Sequence, residues 1–338
     1  MMKGLVLASI ILLLVACQSS IPCDCDLSPA KFRTFGILKQ PQLPADNPFT
    51  FCSIELGRKL FYDTRLSGDG KTSCASCHAL VMAFTDGQST AKGAHGELGN
   101  RNSPTLFNLA WSPHLMMEGG VKTLELQGLA PLLAQHEMMG SALELPAALT
   151  QDSTYQQWSR KAYHRPLDYF VVVRALANFQ RSLISLDSHF DRVVYHQTET
   201  FTESEERGWQ IFKSAKAQCT QCHTPPLFTD YGFYDIGISD TLDQGKERES
   251  YHLRDRYKFK TPTLRNIELT PPYFHHGQVD HLEAVIEFYN QGGEVHRPQK
   301  DNRIQPQHWT EQDKKDLLAF LQSLTDWNAV QNKRWLPL

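Results

Sequence analysis

Two pentapeptides constrain this chain more than anything else in it: Cys74 to His78 (CASCH) and Cys219 to His223 (CTQCH). Each holds two cysteines separated by two residues, with a histidine directly after the second. That run is the attachment signature of c-type haem. The thiols add across the two vinyl groups, and the spacing delivers the next histidine to the iron as proximal ligand. Other chemistries also use paired cysteines. A zinc site wants four convergent ligands, and a thioredoxin-like redox pair needs no histidine at a fixed place. Two pentapeptides, each with its histidine, therefore predict two covalently bound haem c groups. Cys74, Cys77, Cys219 and Cys222 would attach them, and His78 and His223 would bind the irons.

The surroundings of the two pentapeptides repeat as well. Ahead of each lies Gly-x-x-apolar-Phe: Gly57 to Phe61 (GRKLF) and Gly208 to Phe212 (GWQIF). After each comes Pro-Thr-Leu-x-Asn: Pro104 to Asn108 (PTLFN) and Pro262 to Asn266 (PTLRN). Each half then has Leu-Glu, and Leu124 stands as far after Pro104 as Leu282 after Pro262. Three shared stretches in one order point to internal duplication, with one haem domain per half. The segments between read mostly as helices. Thr202 with Glu205 three residues on is a capping box. DYFVVVRALANFQRSL carries a long apolar face, and TEQDKKDLLAFLQSL starts at Thr310 with acids in its first turn. Alternating strands are absent apart from a short hairpin expected in FTDYGFYDIGI. The expected fold is mostly α, with two cytochrome c-like haem domains and long loops around the haems.

The chain has 338 residues, 41% of them hydrophobic, which is enough for two domains. Its net charge is −3, with no long run of one sign, so nucleic acid is not an expected partner. The first residues, MMKGLVLASIILLLVAC, set one lysine before a short apolar run. That run is too short to span a bilayer and has the form of a signal peptide, 1–16. It ends in Leu14-Val15-Ala16-Cys17, which resembles a bacterial lipobox and implies lipidation of Cys17. Gln18 then favours the outer membrane, so the membrane is met through a lipid anchor only, on the periplasmic side. Residues 17–48 are rich in proline and polar side chains and read as a tether. Cys23, Cys25 and Cys52 remain, and an exported chain can pair two of them. The sequence does not say which.

The second axial position of each haem decides what it can do. A haem with two protein ligands passes electrons, and one with an open side can react with peroxide. All seven methionines lie at or before Met139, so the second half cannot supply one. Tyr289 stands as far after Leu282 as Pro131 stands after Leu124. If that position faces the iron in both halves, a phenolate closes the second haem. Proline, which cannot ligate, leaves the first haem open. Glu137, just beyond Pro131, is a candidate acid/base for moving a proton between peroxide oxygens. His95, in AKGAHGELGN, is a loop histidine within reach of the first haem's distal side.

With GNRNSPTLFN, EGGVKTLELQGLAPL and FKTPTLRNIELTPPYFHHG in this order, the chain from about Phe51 to Leu324 resembles the bacterial dihaem cytochrome c peroxidase family, including its MauG-type branch. The resemblance implies a periplasmic enzyme that reduces hydrogen peroxide to water. Its electrons come from a small cytochrome c or a cupredoxin. They enter at the C-terminal haem, in 199–338, and peroxide reacts at the N-terminal haem, in 49–198. The terminal helix is expected to pack back on the first domain. Glu137 matches the family's acid/base and Gln127 a polar residue near it. His95 matches the loop histidine that caps the peroxidatic haem in resting members. Asn102, Thr270 and Pro272 match the residues around a calcium ion between the domains, and their amide and carbonyl oxygens suit Ca²⁺. Tyr289 falls where classical peroxidases have methionine and the MauG-type branch has tyrosine. Met117 falls where the family has a tryptophan between the haems. Dimerisation is common in the family, though nothing in this sequence shows it. The alternative functions are a MauG-type oxidase that modifies a partner protein through a high-valent haem, and a non-catalytic dihaem electron carrier.

Overall fold

The fold is described here from a computed structural model, which describes residues 25–141, 145–238 and 242–338. The expected signal peptide at 1–16, Cys17 and Cys23 lie outside the described residues. The molecule is largely helical, and no described helix is long and apolar enough to cross a membrane.

Two helix pairs organise it. In the first, Phe51–Phe61 lies against Tyr169–Ser182. In the second, Glu203–Phe212 lies against Glu311–Gln322. The helix starts follow the expected chemistry. The Thr202 hydroxyl accepts from the Glu205 amide and the Glu205 carboxylate accepts from the Thr202 amide, with three acids in the first turn. Thr310 and Asp313 do the same for the last long helix, and Asp168 caps Tyr169–Ser182 through the Val171 amide.

Each pair crosses at a glycine with no room for a side chain. A Cβ built on Gly57 would lie 1.9 Å from the Ala175 carbonyl oxygen. One built on Gly208 would lie 1.9 Å from the Asp316 carbonyl oxygen. Around the first crossing, Leu56, Leu60, Phe61, Leu176 and Phe179 form one core. Around the second, Phe190, Phe212, Phe228, Leu317 and Phe320 form another. Phe190 precedes residue 199, where the second domain was expected to begin, yet it packs in the second core. The chain end returns to the first core, which buries Ala329, Val330 and Trp335. There the Tyr62 hydroxyl donates to the Trp335 carbonyl at 2.7 Å.

Two expectations are corrected. Phe233–Tyr234 is a strand, but its antiparallel partner is the distant Phe259–Lys260, so FTDYGFYDIGI is not a hairpin. Tertiary packing, not a local turn, supplies the second strand. The segment read as a tether is held down from Cys25 onward. Cys25 is disulfide-bonded to Cys52, Phe32 stacks on Phe49 at 4.5 Å, and the Trp111 indole donates to the Lys39 carbonyl. Apolar residues spaced among the prolines supply this docking.

Replacing Gly57 or Gly208 by alanine should push the crossing helices apart. A cost of about 1–3 kcal/mol is expected for each from overpacking, seen as a lower denaturation midpoint. An unchanged midpoint would mean the helices can separate freely.

Candidate functional site

Both pentapeptides sit in loops that turn back on themselves. After the short helix Cys74–Cys77, residues Ala83 and Phe84 adopt left-handed backbone conformations and bring the Phe84 carbonyl under the His78 ring. The His78 Nδ1 lies 2.8 Å from that oxygen. In the second half, Phe228 is left-handed too, and the His223 Nδ1 lies 3.1 Å from the Phe228 carbonyl oxygen. A carbonyl can only accept, so each Nδ1 carries the proton and each Nε2 keeps its lone pair. This is the tautomer a metal-bound histidine needs. Burial holds both imidazoles below their ordinary pKa, which keeps them neutral.

The four thiols are free of disulfides. Burial pushes Cys74 and Cys219 up to about 12, and Cys77 and Cys222 up to about 11. A redox pair would instead have a lowered thiol pKa. Among the described residues, neither pentapeptide belongs to a cluster of three metal-ligating side chains. The loops line one continuous cavity of about 810 Å³ that runs between the two halves. His78 and His223 lie deep in the fold yet keep accessible surface, because they face this space. Neutral imidazoles, paired thiols and apolar walls formed by residues such as Leu106, Leu132, Leu264 and Ile286 fit covalently attached haem.

The cavity brings together most of the residues singled out in the sequence. Pro131, Gln127 and Glu137 line it on one side, and Tyr289 on the other. Tyr289 lies on the helix Leu282–Gln291. Burial raises its phenol pKa, and the neighbouring Cys219 and Cys222 raise it further, which places it beside the second pentapeptide. Burial likewise raises the Glu137 carboxyl. The Glu137 backbone is fixed by the loop before it, since its carbonyl accepts from the Ala94 amide at 2.6 Å. Gly93 is needed for that approach: a Cβ there would lie 2.3 Å from the His136 carbonyl oxygen. Met117, Asn102, Thr270 and Pro272 also line the cavity. His95, by contrast, is exposed, lies outside the cavity wall, and its amide donates to the Asp69 carboxylate at 3.2 Å.

Other cavity residues were not singled out from the sequence. His136 lines the wall with its Nε2 3.9 Å from the Glu137 Oε1. Arg101 joins Glu118 of its own half to Asp243 of the other, donating at 2.7 Å and 3.0 Å. Arg265, fully buried, donates to both Asp191 oxygens at 2.7 Å and to the Pro226 carbonyl at 2.8 Å. It thereby braces the loop that holds His223. Only the adjacency of His136 to Glu137 was visible in the sequence; the ion pairs span distant segments.

A family model described as di-haem cytochrome c peroxidase matches residues 52–199. The methylamine utilization protein MauG of Methylorubrum extorquens is 36% identical over 285 residues, covering 83% of this chain and 80% of that protein. The cytochrome-c peroxidase IdrP1 of Denitromonas iodatirespirans is 32% identical over 335 residues, covering 88% of this chain and 87% of that one. Among solved structures, a MauG-like protein associated with microbial copper homeostasis matches with a TM-score of 0.85 at 32% identity. It covers 89% of this chain and 97% of that one.

The Arg265–Asp191 pair gives a test of how the second loop is held. Burial alone would raise the Asp191 carboxyl, but the Arg265 hydrogen bonds outweigh it and hold it below its ordinary value. Stability from a depressed carboxyl is present above its unfolded pKa of about 3.9 and is lost as pH falls through the folded value. Asp191→Asn should therefore cost about 3–5 kcal/mol at neutral pH, and the gap to the parent should narrow in acid below pH about 4. Denaturation curves at several pH values would show it.

Proposed function

The chain belongs to the di-haem cytochrome c peroxidase family that includes MauG, and from that membership we propose that it reduces hydrogen peroxide with electrons from a small redox protein. We read its two halves as copies of one haem-binding unit. The matched glycine crossings and the matched histidine-to-carbonyl bonds support this. The feature that carries the functional reading is the asymmetry inside one cavity, with Tyr289 beside one pentapeptide and Pro131 at the corresponding place in the other half.

The haems supply the redox-active irons at which peroxide is reduced and electrons are relayed. The residues of this chain do the rest. His78 and His223 present Nε2 lone pairs, and Cys74, Cys77, Cys219 and Cys222 supply the thioether sulfurs. Tyr289 closes the second site with its oxygen. Pro131 cannot ligate and leaves the first site accessible to a small substrate. Glu137 holds a proton more firmly than an ordinary carboxyl, because burial disfavours its charge. It can accept a proton from one peroxide oxygen and return it to the other. Gln127 would orient the substrate. His95 is held outside the cavity here, and we assign it no catalytic step.

Electrons would enter at the second site and cross the seam past Met117. We also place a calcium ion at that seam. The Asn102 amide nitrogen donates to the Gln88 carbonyl at 2.7 Å, so its oxygen is the end left for a cation. Thr270 and Pro272 would add carbonyl oxygens. Export and lipidation at Cys17 belong to the same reading, with the enzyme on the periplasmic side.

A second reading, oxidation of a partner protein, is favoured by Tyr289 and by the identity to MauG. Met117 weighs against it, because a thioether is a poorer stepping stone for an electron hole than an indole. Steady-state oxidation of a reduced small cytochrome c by hydrogen peroxide separates the two. Turnover without pre-reduction supports the peroxidase, whereas none under any condition leaves the partner-protein reading. Glu137→Gln should lower kcat by about 10²–10⁴-fold at unchanged haem content. Unchanged turnover would remove Glu137 from the mechanism.

A further inference from the structure

Lys260 lines the cavity at the seam between the halves, on the strand Phe259–Lys260. Its amide donates to the Met117 carbonyl at 2.8 Å, and its Nζ donates to the His114 carbonyl at 2.8 Å. Both partners come from the first half and both are neutral. The arginines that line the same cavity all have a carboxylate. Arg101 pairs with Glu118 and Asp243, Arg248 with Asp243, Arg265 with Asp191, and Arg303 with Asp301. Among the described residues, no carboxylate forms an ion pair with Lys260. Burial holds its ammonium down to about 8, with no charged neighbour offsetting the loss of water.

A buried cation is expected to be paired or to meet an anion brought by a ligand. Each haem carries two propionate carboxylates and no other ionised group at its edge. Lys260 stands two residues before Pro262, on the strand that leads to the loop under His223. Asn102 stands two residues before Pro104 in the first half. The seam is where the edges of two haems attached at Cys74–Cys77 and Cys219–Cys222 would meet. We propose that Lys260 is a haem-propionate anchor, its ammonium pairing with a propionate carboxylate at the seam between the two sites. The inference rests on the di-haem reading. Lys260 then acts as a positioning residue that tunes a potential, because a cation beside a propionate favours the reduced iron.

The test uses the purified holoprotein. Haem content by pyridine haemochrome, with two haems per chain in the parent, checks the di-haem reading by itself; its failure there would be seen before any variant is made. Spectroelectrochemical titration of Lys260→Met is expected to lower the midpoint potential of one haem and leave the other in place. The haem that shifts is the owner of the bound carboxylate. Lys260→Arg should restore most of the potential, which loss of packing alone would not explain. Unchanged potentials of both haems in Lys260→Met would overturn the proposal, and so would an Arg variant as shifted as the Met variant. If Lys260→Met does not assemble, resonance Raman spectra of Lys260→Arg give a second reading. A moved propionate bending band supports the pairing, and an unmoved one overturns it.

Discussion

An imidazole can hold iron through Nε2 only if its proton is kept on Nδ1, and here one backbone carbonyl does that for each histidine. The two carbonyls belong to Phe84 and Phe228, both in left-handed conformations. Their rings are the reason those conformations persist. Phe84 packs edge-on against Phe61 and Phe107, and Trp335 closes over it from the chain end. Phe228 packs against Phe190, Phe212 and Phe320. The backbone strain at each turn is thus offset by aromatic burial in the core of its own half. The helix crossings at Gly57 and Gly208 set the walls against which those rings pack. The ligand geometry therefore extends back into the whole of each core.

On this shared frame the halves differ where the chemistry differs. Asn108 and Asn266 both sit in left-handed turns, and each accepts at its side-chain oxygen from a backbone amide, of Ser185 and of Asp326. One residue earlier the match ends. Phe107 joins an aromatic cluster with Trp335, whereas Arg265 forms a buried bidentate pair with Asp191. Pro131 and Tyr289 differ in the same way. In the second half a buried ion pair braces the histidine loop, and Tyr289 brings an oxygen to the cavity. The first half has a buried bidentate pair of its own, Arg181 with Glu125, but it lies on the helix Tyr169–Ser182 and not at the histidine loop. Under the proposed function, these differences at the loop and at the cavity wall would separate a relay from a reaction site.

The local parts of this design were legible in the sequence. The pentapeptides, the capping boxes at Thr202 and Thr310 and the repeated Pro-Thr-Leu stretches are all set within a few residues. What escaped depends on partners far along the chain. Nothing near Cys25 says that its partner is Cys52 rather than Cys23. Nothing near Phe233 says that its strand pairs with Phe259–Lys260. His95 reads as a distal histidine in its loop, and nothing near it says that its amide meets the Asp69 carboxylate and that its side chain is exposed. Lys260 looks like an ordinary surface lysine until the cavity wall is in view. Sequence pattern reports what a side chain can do, and burial decides which of those things it must do.

Burial also acts on the cavity in one consistent direction. The four thiols, Tyr289 and Glu137 are pushed toward their protonated forms, and His78 and His223 toward their unprotonated ones. By themselves these side chains leave a wall close to neutral, with its arginines already matched by carboxylates. Two consequences follow for any charge introduced there. Tyr289 would present a phenol whose proton burial retains, so an oxygen ligand there would depend on the charge of a bound metal to release it. A proton that reaches the Glu137 carboxylate is held more firmly there than on an ordinary surface carboxylate, because burial disfavours the charged form. The same desolvation that makes the cavity apolar enough for haem thus raises a carboxyl on one side of it and a phenol on the other.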